Sequence, residues 1–373
     1  MRISQVVQRK LKVMEEVGSI APAWSPGQTM QLQRGGGSFV EIRTDEGLVG
    51  IGPEIDDRFV AGLNDLLVGK TLDDVETLSG MLDYYFPGGS HYQYIAGADI
   101  ALWDLVGKIA GEPLYRLWGG TDNRVVPYAS MMLLSTPEER AEMAARVVGE
   151  GFQALKLRLH HERMDDDIRT VQLVREAVGP DVKIMVDANQ AQSKGGWQPA
   201  VRWDLERAKH TARALVALDC TWLEEPLPRY ALDDLRCLRE DTGIRLSGGE
   251  NNPSLFDFEQ MCAARAYDVL QPEVLVLTGI TETLKVGALA AAHGLEVAPH
   301  NGYVKLGHIA HMHMVASWSH ANFLELMYDP PVGHYMNFLD ILTEPPQVSA
   351  DGFTEVPTGP GLGVEIDPDY LLD

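Results

Sequence analysis

The chain has 373 residues, 45% of them hydrophobic and 23% charged, which indicates a globular protein built as two domains or as one large barrel with additions. Its formal net charge of −23 argues against nucleic acid or an anionic membrane as a partner. We find no apolar run of about 18 residues, no signal-peptide pattern and no metal or redox spacing among the three cysteines. We therefore expect a cytoplasmic protein without a membrane span.

The first 120 residues predict an α+β unit. The segment GGGSFVEIRTDEGLVGIGPE is typical of a hairpin that turns at Thr44-Asp45-Glu46-Gly47. The stretch from Glu15 to Gly37 is rich in glycine, proline, serine and glutamine and has little periodicity, so we expect a long mobile loop, which is usually a functional lid. We assign residues 1–123 to an N-terminal capping domain. Helical patterns follow the hairpin near residues 57–70, 73–85 and 93–110.

From about residue 124 the chain alternates short β-rich runs with helical patterns such as the capping box Thr136-Pro137-Glu138-Glu139. This alternation predicts an α/β fold, a modified TIM barrel of (β/α)7β type over residues 124–327. An open doubly wound sheet is the alternative, but no Gly-x-Gly-x-x-Gly follows the first strand. We expect residues 328–373 to return and pack on the capping domain. The eight predicted strands are 125–131, 154–159, 182–189, 220–226, 244–250, 267–274, 295–301 and 322–326.

Three acidic residues, Asp187, Glu224 and Glu250, stand at the ends of three successive predicted strands. In a parallel barrel such ends converge, and converging carboxylates cannot all stay ionised without a cation. We therefore predict a site for a hard divalent cation, Mg²⁺. Each residue alone has an ordinary alternative, since Asp187 could cap a helix and Glu224 or Glu225 could pair with an arginine.

Two cations lie on the second predicted strand. Lys156 and Arg158 are two residues apart, so they point to the same side. Because the strands of a barrel have no exposed face, the two side chains would point into the barrel end, where they could neutralise the charge of an acidic substrate. A pair of solvated side chains is the alternative.

The last three strands end on Glu273, His300 and Glu325. Adjacent strand ends bring Glu273 and His300 within hydrogen-bond reach, and a carboxylate on one imidazole nitrogen makes the other a general base. Without Glu273, His300 would be interpreted as a helix cap. Glu325 completes the ring and, if protonated, could donate a hydrogen bond to a carboxylate oxygen.

These motifs, in this order, resemble the enolase superfamily, and within it the subgroup similar to mandelate racemase and muconate lactonizing enzyme. The resemblance spans nearly the whole chain, including AGADIALWDLVGKIAGEPLYRLWGG (96–120). It implies Mg²⁺-dependent abstraction of the proton α to a carboxylate, through an enediolate. The motifs are Lys-x-Arg, Asp-Ala-Asn, Glu-Glu-Pro, Gly-Glu-Asn, Gln-Pro-Glu, Gly-Ile-Thr-Glu and Pro-His-Asn.

The resemblance also implies a role for each matched residue. The segment 18–37 corresponds to the family's specificity lid, and the partner is a small carboxylate substrate in an enzyme expected to be a homo-oligomer. The implied metal ligands are Asp187, Glu224 and Glu250; the implied catalytic residues are Lys156, Arg158, Glu273, His300 and Glu325; the implied substrate-binding residues are Asn189 and Asn301.

Two departures from the family pattern bear on the reaction. Arg158 stands where the family usually has a second lysine that acts as a base, and a guanidinium stays protonated. With His300 as the single base, dehydration of an acid sugar is favoured over racemisation, which uses two bases. Glu273 stands where an aspartate is usual, which puts its role as partner of His300 in doubt. The alternatives are a racemase, epimerase or cycloisomerase using the same enediolate, and a non-catalytic binding scaffold.

A long polar connection follows the third strand. It places Lys194 and Trp197 on the active-site side of the barrel. They either line the pocket or belong to a solvated loop.

Overall fold

The computed structural model describes residues 1–85, 92–302 and 305–372. Within them, no helix combines the length and hydropathy needed to cross a bilayer. The N-terminal elements are β1 (Ile3–Lys10), β2 (Val13–Ile20), β3 (Met30–Gly35), β4 (Ser38–Thr44), β5 (Val49–Pro53), α1 (Asp57–Leu67), α2 (Val75–Tyr85), α3 (Tyr92–Ala110) and α4 (Leu114–Leu117).

The predicted hairpin is present as β4 and β5, which pair antiparallel. The sequence did not predict β1, which adds to the other side of β4 and completes a three-stranded sheet. Glycines let α3 lie close against β5. A Cβ atom at Gly52 would lie 2.0 Å from the carbonyl oxygen of Gly97, so a side chain there would separate sheet and helix.

The expectation of a long irregular loop over residues 15–37 is wrong. Most of this segment forms the antiparallel hairpin of β2 and β3, with its tip between Ala21 and Thr29. The strands escaped notice because most residues of β2 are exposed or half-buried, so the strand has no buried face and no apolar alternation. The hairpin is held to the barrel by the Ala23 N–H, which donates to the Met132 carbonyl at 2.9 Å.

The second part of the chain alternates strands and helices, as predicted. Its elements are β6 (Arg124–Val125), β7 (Pro127–Ser130), α5 (Pro137–Gly149), β8 (Ala154–Arg158), α6 (Met164–Val178), β9 (Lys183–Asp187), α7 (Leu205–Ala217), β10 (Trp222–Glu224), α8 (Leu232–Thr242), β11 (Leu246–Gly248), α9 (Leu255–Ala264), β12 (Val269–Leu270), α10 (Ile280–His293), β13 (Glu296–Val297), α11 (Leu306–Ser317) and β14 (Leu324–Asp329).

The strands from β7 to β13 pair parallel in sequence order, and β14 pairs parallel with β7. A sheet with this strand order curls towards closure. At the gap, the Val297 N–H of β13, the seventh barrel strand, donates to the His320 carbonyl, which lies just before β14, the eighth. The predicted (β/α)7β fold with an N-terminal capping domain is therefore confirmed. The last two ladders before β14 are short, so Glu273 and His300 lie in the segments that follow their strands.

The C-terminal segment contains β15 (Gly333–His334), α12 (Met336–Leu339) and β16 (Thr354–Glu355). It contacts the N-terminal part of the chain: the Lys12 N–H donates to the Tyr370 carbonyl at 2.8 Å, and Arg34 pairs with Asp340 at 3.1 Å. The boundaries placed at residues 123 and 327 stay predictions.

Candidate active site

The register of the parallel strands brings the first charged residues together. Arg158 of β8 is the ladder partner of Asp187 of β9, and Asp187 is the partner of Glu224 of β10. All three side chains end β-strands and are buried. Their spacing therefore follows from backbone pairing.

The predicted metal ligands converge. One carboxylate oxygen from each of Asp187, Glu224 and Glu250 lies within 4.8 Å of the others, and all three residues are buried. Hard cations such as Mg²⁺ prefer carboxylate oxygens in such sets.

Lys156 bridges two of the acids. Its Nζ lies 2.8 Å from Glu224 Oε1 and 2.8 Å from Glu325 Oε1. Burial alone would lower the pKa of Lys156, but the charges of Glu224 and Glu325 outweigh it and raise that pKa. Burial alone would raise the pKa of Glu325, yet Lys156 and His300 hold it well below its usual value. This pairing favours ionised Glu325, whereas the hydrogen bond suggested by the sequence requires its protonated form.

The other oxygen of Glu224 is also held in place. Gln271 Nε2 donates to Glu224 Oε2 at 2.8 Å, and the indole N–H of Trp222 donates to the same oxygen at 3.3 Å. Neither donor was predicted from the sequence. Trp222 lies two residues before Glu224 on β10, but an indole in an apolar strand is typical of the core, and Gln271 follows β12, far from Glu224 in the chain.

Glu225 is not a member of the carboxylate triad, although it directly follows Glu224 in the chain. It is fully buried, has a backbone φ of +44°, and neither carboxylate oxygen has a hydrogen-bond partner among the described residues. Burial and the charges of Glu250 and Glu224 raise its pKa well above the usual value. The carboxylates around this site outnumber its cationic side chains, so a divalent cation would restore the charge balance. Mg²⁺ therefore fits the residues present.

His300 lies between two carboxylates. Its Nδ1 is 3.0 Å from Glu273 Oε2, and its Nε2 is 3.3 Å from Glu250 Oε2. Burial lowers the pKa of His300, but the charge of Glu250 and the hydrogen bond with Glu273 outweigh it and raise the pKa to about 10. The longer side chain of Glu273 thus reaches the imidazole, as the resemblance required.

Arg158 is clamped on several sides. It donates to the carboxylate of Asp187, to the Ser130 hydroxyl at 3.0 Å and to the Met131 carbonyl at 3.2 Å. The ring of Trp24 covers it, with 5.0 Å between the guanidinium carbon and the ring centroid. Sequence reasoning missed Ser130 and Trp24, because they come from β7 and from the hairpin tip.

Asn189 and Asn301 support the site from the loops after β9 and β13. The amide of Asn189 donates to Asp187 Oδ2 at 2.9 Å, and its oxygen accepts from His160 Nε2 at 3.0 Å. Burial lowers the pKa of His160 to about 4, so the imidazole is neutral. Asn301 contacts the buried His308 ring and donates to the Glu325 carbonyl at 2.8 Å.

A cavity of about 290 Å³ opens over these groups. Trp24 and Met30 of the hairpin segment line it, whereas the described lining excludes Lys194 and Trp197. The Trp197 side chain is 81% exposed, and Lys194 lies over the Tyr230 ring at 5.8 Å, so both belong to the solvated alternative. The lining residues are Trp24, Met30, Ser130, Met132, Arg158, Asn189, Gln192, Glu250, Asn251, His300, Asn301, Gly302, Glu325 and Met327.

Comparison with protein-family models finds two matches that together span most of the chain. Residues 8–119 match the mandelate racemase/muconate lactonizing enzyme N-terminal domain, and residues 139–370 match the enolase C-terminal domain-like family. The chain belongs to the enolase superfamily. Its resemblance to the mandelate racemase subgroup is thereby confirmed.

Characterised relatives catalyse several reactions. The 3,6-anhydro-α-L-galactonate cycloisomerase of Streptomyces coelicolor is 32% identical over 315 residues, covering 83% of this chain and 80% of its own. The arabinonate dehydratase of Saccharolobus solfataricus is 29% identical, covering 74% and 75%. A crystal structure of D-glucarate dehydratase from Agrobacterium tumefaciens with magnesium superimposes with a TM-score of 0.84 at 27% identity, covering both chains fully. This superfamily member is therefore an enzyme, a dehydratase or isomerase, that uses Mg²⁺.

Proposed function

We propose that this enzyme dehydrates a hydroxylated carboxylate, a sugar acid, using one residue for both proton transfers. The observation that carries the proposal is the asymmetry between His300 and Arg158. His300 can exchange a proton, whereas the guanidinium of Arg158 stays charged and is engaged by Asp187 and Ser130. A reaction that needs a base on each face of the substrate is not supported by this pair.

The substrate carboxylate would be held at the strand ends. Lys156 and Arg158 provide positive charge there, and both are buried, so their attraction for an anion is little screened. Mg²⁺ on Asp187, Glu224 and Glu250 would stabilise the negative charge that develops on the carboxylate oxygens.

With Mg²⁺ on Glu250, the carboxylate charge that raises the pKa of His300 would be offset, and the imidazole would then remove the α-proton with Nε2, because Nδ1 is hydrogen-bonded to Glu273. Glu273 thereby fixes the tautomer and orients the ring. The protonated imidazole then returns the proton to the departing β-hydroxyl, which leaves as water. The resulting enol tautomerises to a 2-keto-3-deoxy acid.

A screen of sugar acids with the Mg²⁺-loaded enzyme tests the proposal. We expect at least one acid to yield a 2-keto acid that reacts with semicarbazide and has lost one water by mass spectrometry. Products that differ from their substrates only in configuration, with no keto acid formed, would contradict dehydration.

Cycloisomerisation is the second candidate, favoured by the 32% identity with the 3,6-anhydro-α-L-galactonate cycloisomerase. Abstraction of the same proton by His300 could open a ring ether, whose oxygen then stays in the product. The two reactions differ in mass: the isomerised product keeps the mass of its substrate. A screen that includes anhydro sugar acids separates them.

Two expectations from the sequence stay predictions. They are the cytoplasmic location and the assembly into a homo-oligomer.

A further inference from the structure

The lining of the substrate cavity has a charged part, a neutral part that is mostly polar, and an apolar part. Arg158, Glu250, His300 and Glu325 form the charged part. Arg158 ends β8, Glu250 and His300 follow β11 and β13, and Glu325 lies near the start of β14 and not at its end as predicted. The neutral part consists of Ser130, Asn189, Gln192, Asn251, Asn301 and Gly302. We call the apolar part the methionine wall; it consists of Met30, Met132, Met327 and Trp24.

The methionine wall is one surface because its members pack together. Met132 and Met327 are buried in a single hydrophobic cluster with Ile20 and Leu32 of the hairpin, and Trp24 packs against that cluster. Met30 begins β3 and is the ladder partner of Ile20, which belongs to this cluster. The wall therefore forms where the hairpin meets the ends of β7 and β14.

The cations of the lining belong to the charged part. Among the described lining residues they are Arg158 and His300. Two nearby lysines are directed elsewhere: Lys305 donates to the Gly36 carbonyl at 2.7 Å, and Lys194 lies over Tyr230. The segments 86–91 and 303–304 contain no lysine or arginine in the sequence.

Resting on the proposed function, we propose that the substrate is a sugar acid with a single carboxylate, of the aldonate class, whose far end is uncharged. One carboxylate is accommodated by Lys156, Arg158 and Mg²⁺. A second carboxylate, as in an aldarate, would have to leave water against the methionine wall without a cation, which disfavours its binding.

The experiment compares sugar acids that share their stereochemistry and differ only at the far carbon: the aldonate, its 6-deoxy form and the corresponding aldarate. For pairs that react with the Mg²⁺-loaded enzyme the readout is the ratio of kcat/KM. For pairs that do not react it is the ratio of Kd from calorimetry. We expect the aldonate and its 6-deoxy form to be favoured over the aldarate by at least about tenfold.

Met30→Arg places a cation in the methionine wall at a position that is 38% exposed and so tolerates the change. It should lower the preference for the aldonate by at least about tenfold. Met14→Arg is the matched control, because Met14 lies on the same hairpin, is 50% exposed and does not line the cavity. It should leave the ratio as in the wild type.

An aldarate bound or turned over as well as its aldonate by the wild type would overturn the inference. So would a Met30→Arg enzyme, folded by its thermal unfolding curve, whose ratio equals that of the wild type. Failure of the proposed function looks different: no sugar acid exchanges its α-proton or forms product, while the Kd ratios still report whether a second charge is accepted.

Discussion

The strand ends and the hairpin border the same cavity but are built differently. Asp187 and Glu224 are fully buried and fixed by the register of β9 and β10. Met30 and Trp24 lie on a hairpin whose strands are largely exposed and which rests on the barrel through a small apolar cluster. The reacting groups are thus part of the barrel core, whereas Met30 and Trp24 are carried by the hairpin and can change without disturbing that core.

The largest effect is expected at the strand ends. Asp187→Asn removes one of three carboxylates and the ionic partner of Arg158. Mg²⁺ affinity, measured by calorimetric titration, should fall by at least about 100-fold, and activity with it, because changing even a residue that only orients a ligand costs about 10- to 100-fold. Asp181→Asn is the control, because Asp181 is exposed and precedes the start of β9, at the end of the strand away from Asp187. Unchanged Mg²⁺ affinity in Asp187→Asn would remove this residue from the metal site.

An intermediate effect is expected at Arg158, which contacts Trp24 of the hairpin and Ser130 and Asp187 of the barrel. Arg158→Lys keeps the charge but cannot reproduce the bonds to Ser130, Met131 and Asp187. We expect kcat/KM to fall by about 10- to 100-fold, because a hydrogen bond to a charged group is worth about 1.5–3 kcal/mol.

The control for this change is Arg163→Lys, whose side chain is 74% exposed. It should leave kcat/KM unchanged. Wild-type kcat/KM in Arg158→Lys would mean that a point charge is sufficient there and that the clamp has no role in binding.

The smallest effect is expected on the hairpin. Trp24→Ala removes the ring over Arg158 and part of the methionine wall. Since a cation–π contact is worth about 0.5–2 kcal/mol, KM should rise by about 2- to 30-fold with little change in kcat. Trp197→Ala, at an 81% exposed position, should change neither constant. A collapse of kcat in Trp24→Ala would mean that the hairpin takes part in the chemistry.

The sequence was more informative about the strand ends than about the hairpin. Asp187 and Glu224 each end an apolar strand and His300 follows one, so a local signal marks them and the barrel topology brings them together. β2 and β3 carry no such signal, because most of their residues are exposed or half-buried and only a few, such as Ile20 and Leu32, are buried. Ser130 and Trp24 were missed for a related reason, since only the folded chain brings them to Arg158.

We propose that His300 is the single group that moves the α-proton. The direct test follows incorporation of deuterium at the α-carbon by NMR in D₂O, with a sugar acid that the wild type turns over. His300→Asn should show neither exchange nor product while it binds Mg²⁺ with wild-type affinity, and His210→Asn, exposed on α7, should behave as wild type. Exchange at the wild-type rate in His300→Asn would contradict the account, because the base would then be another residue.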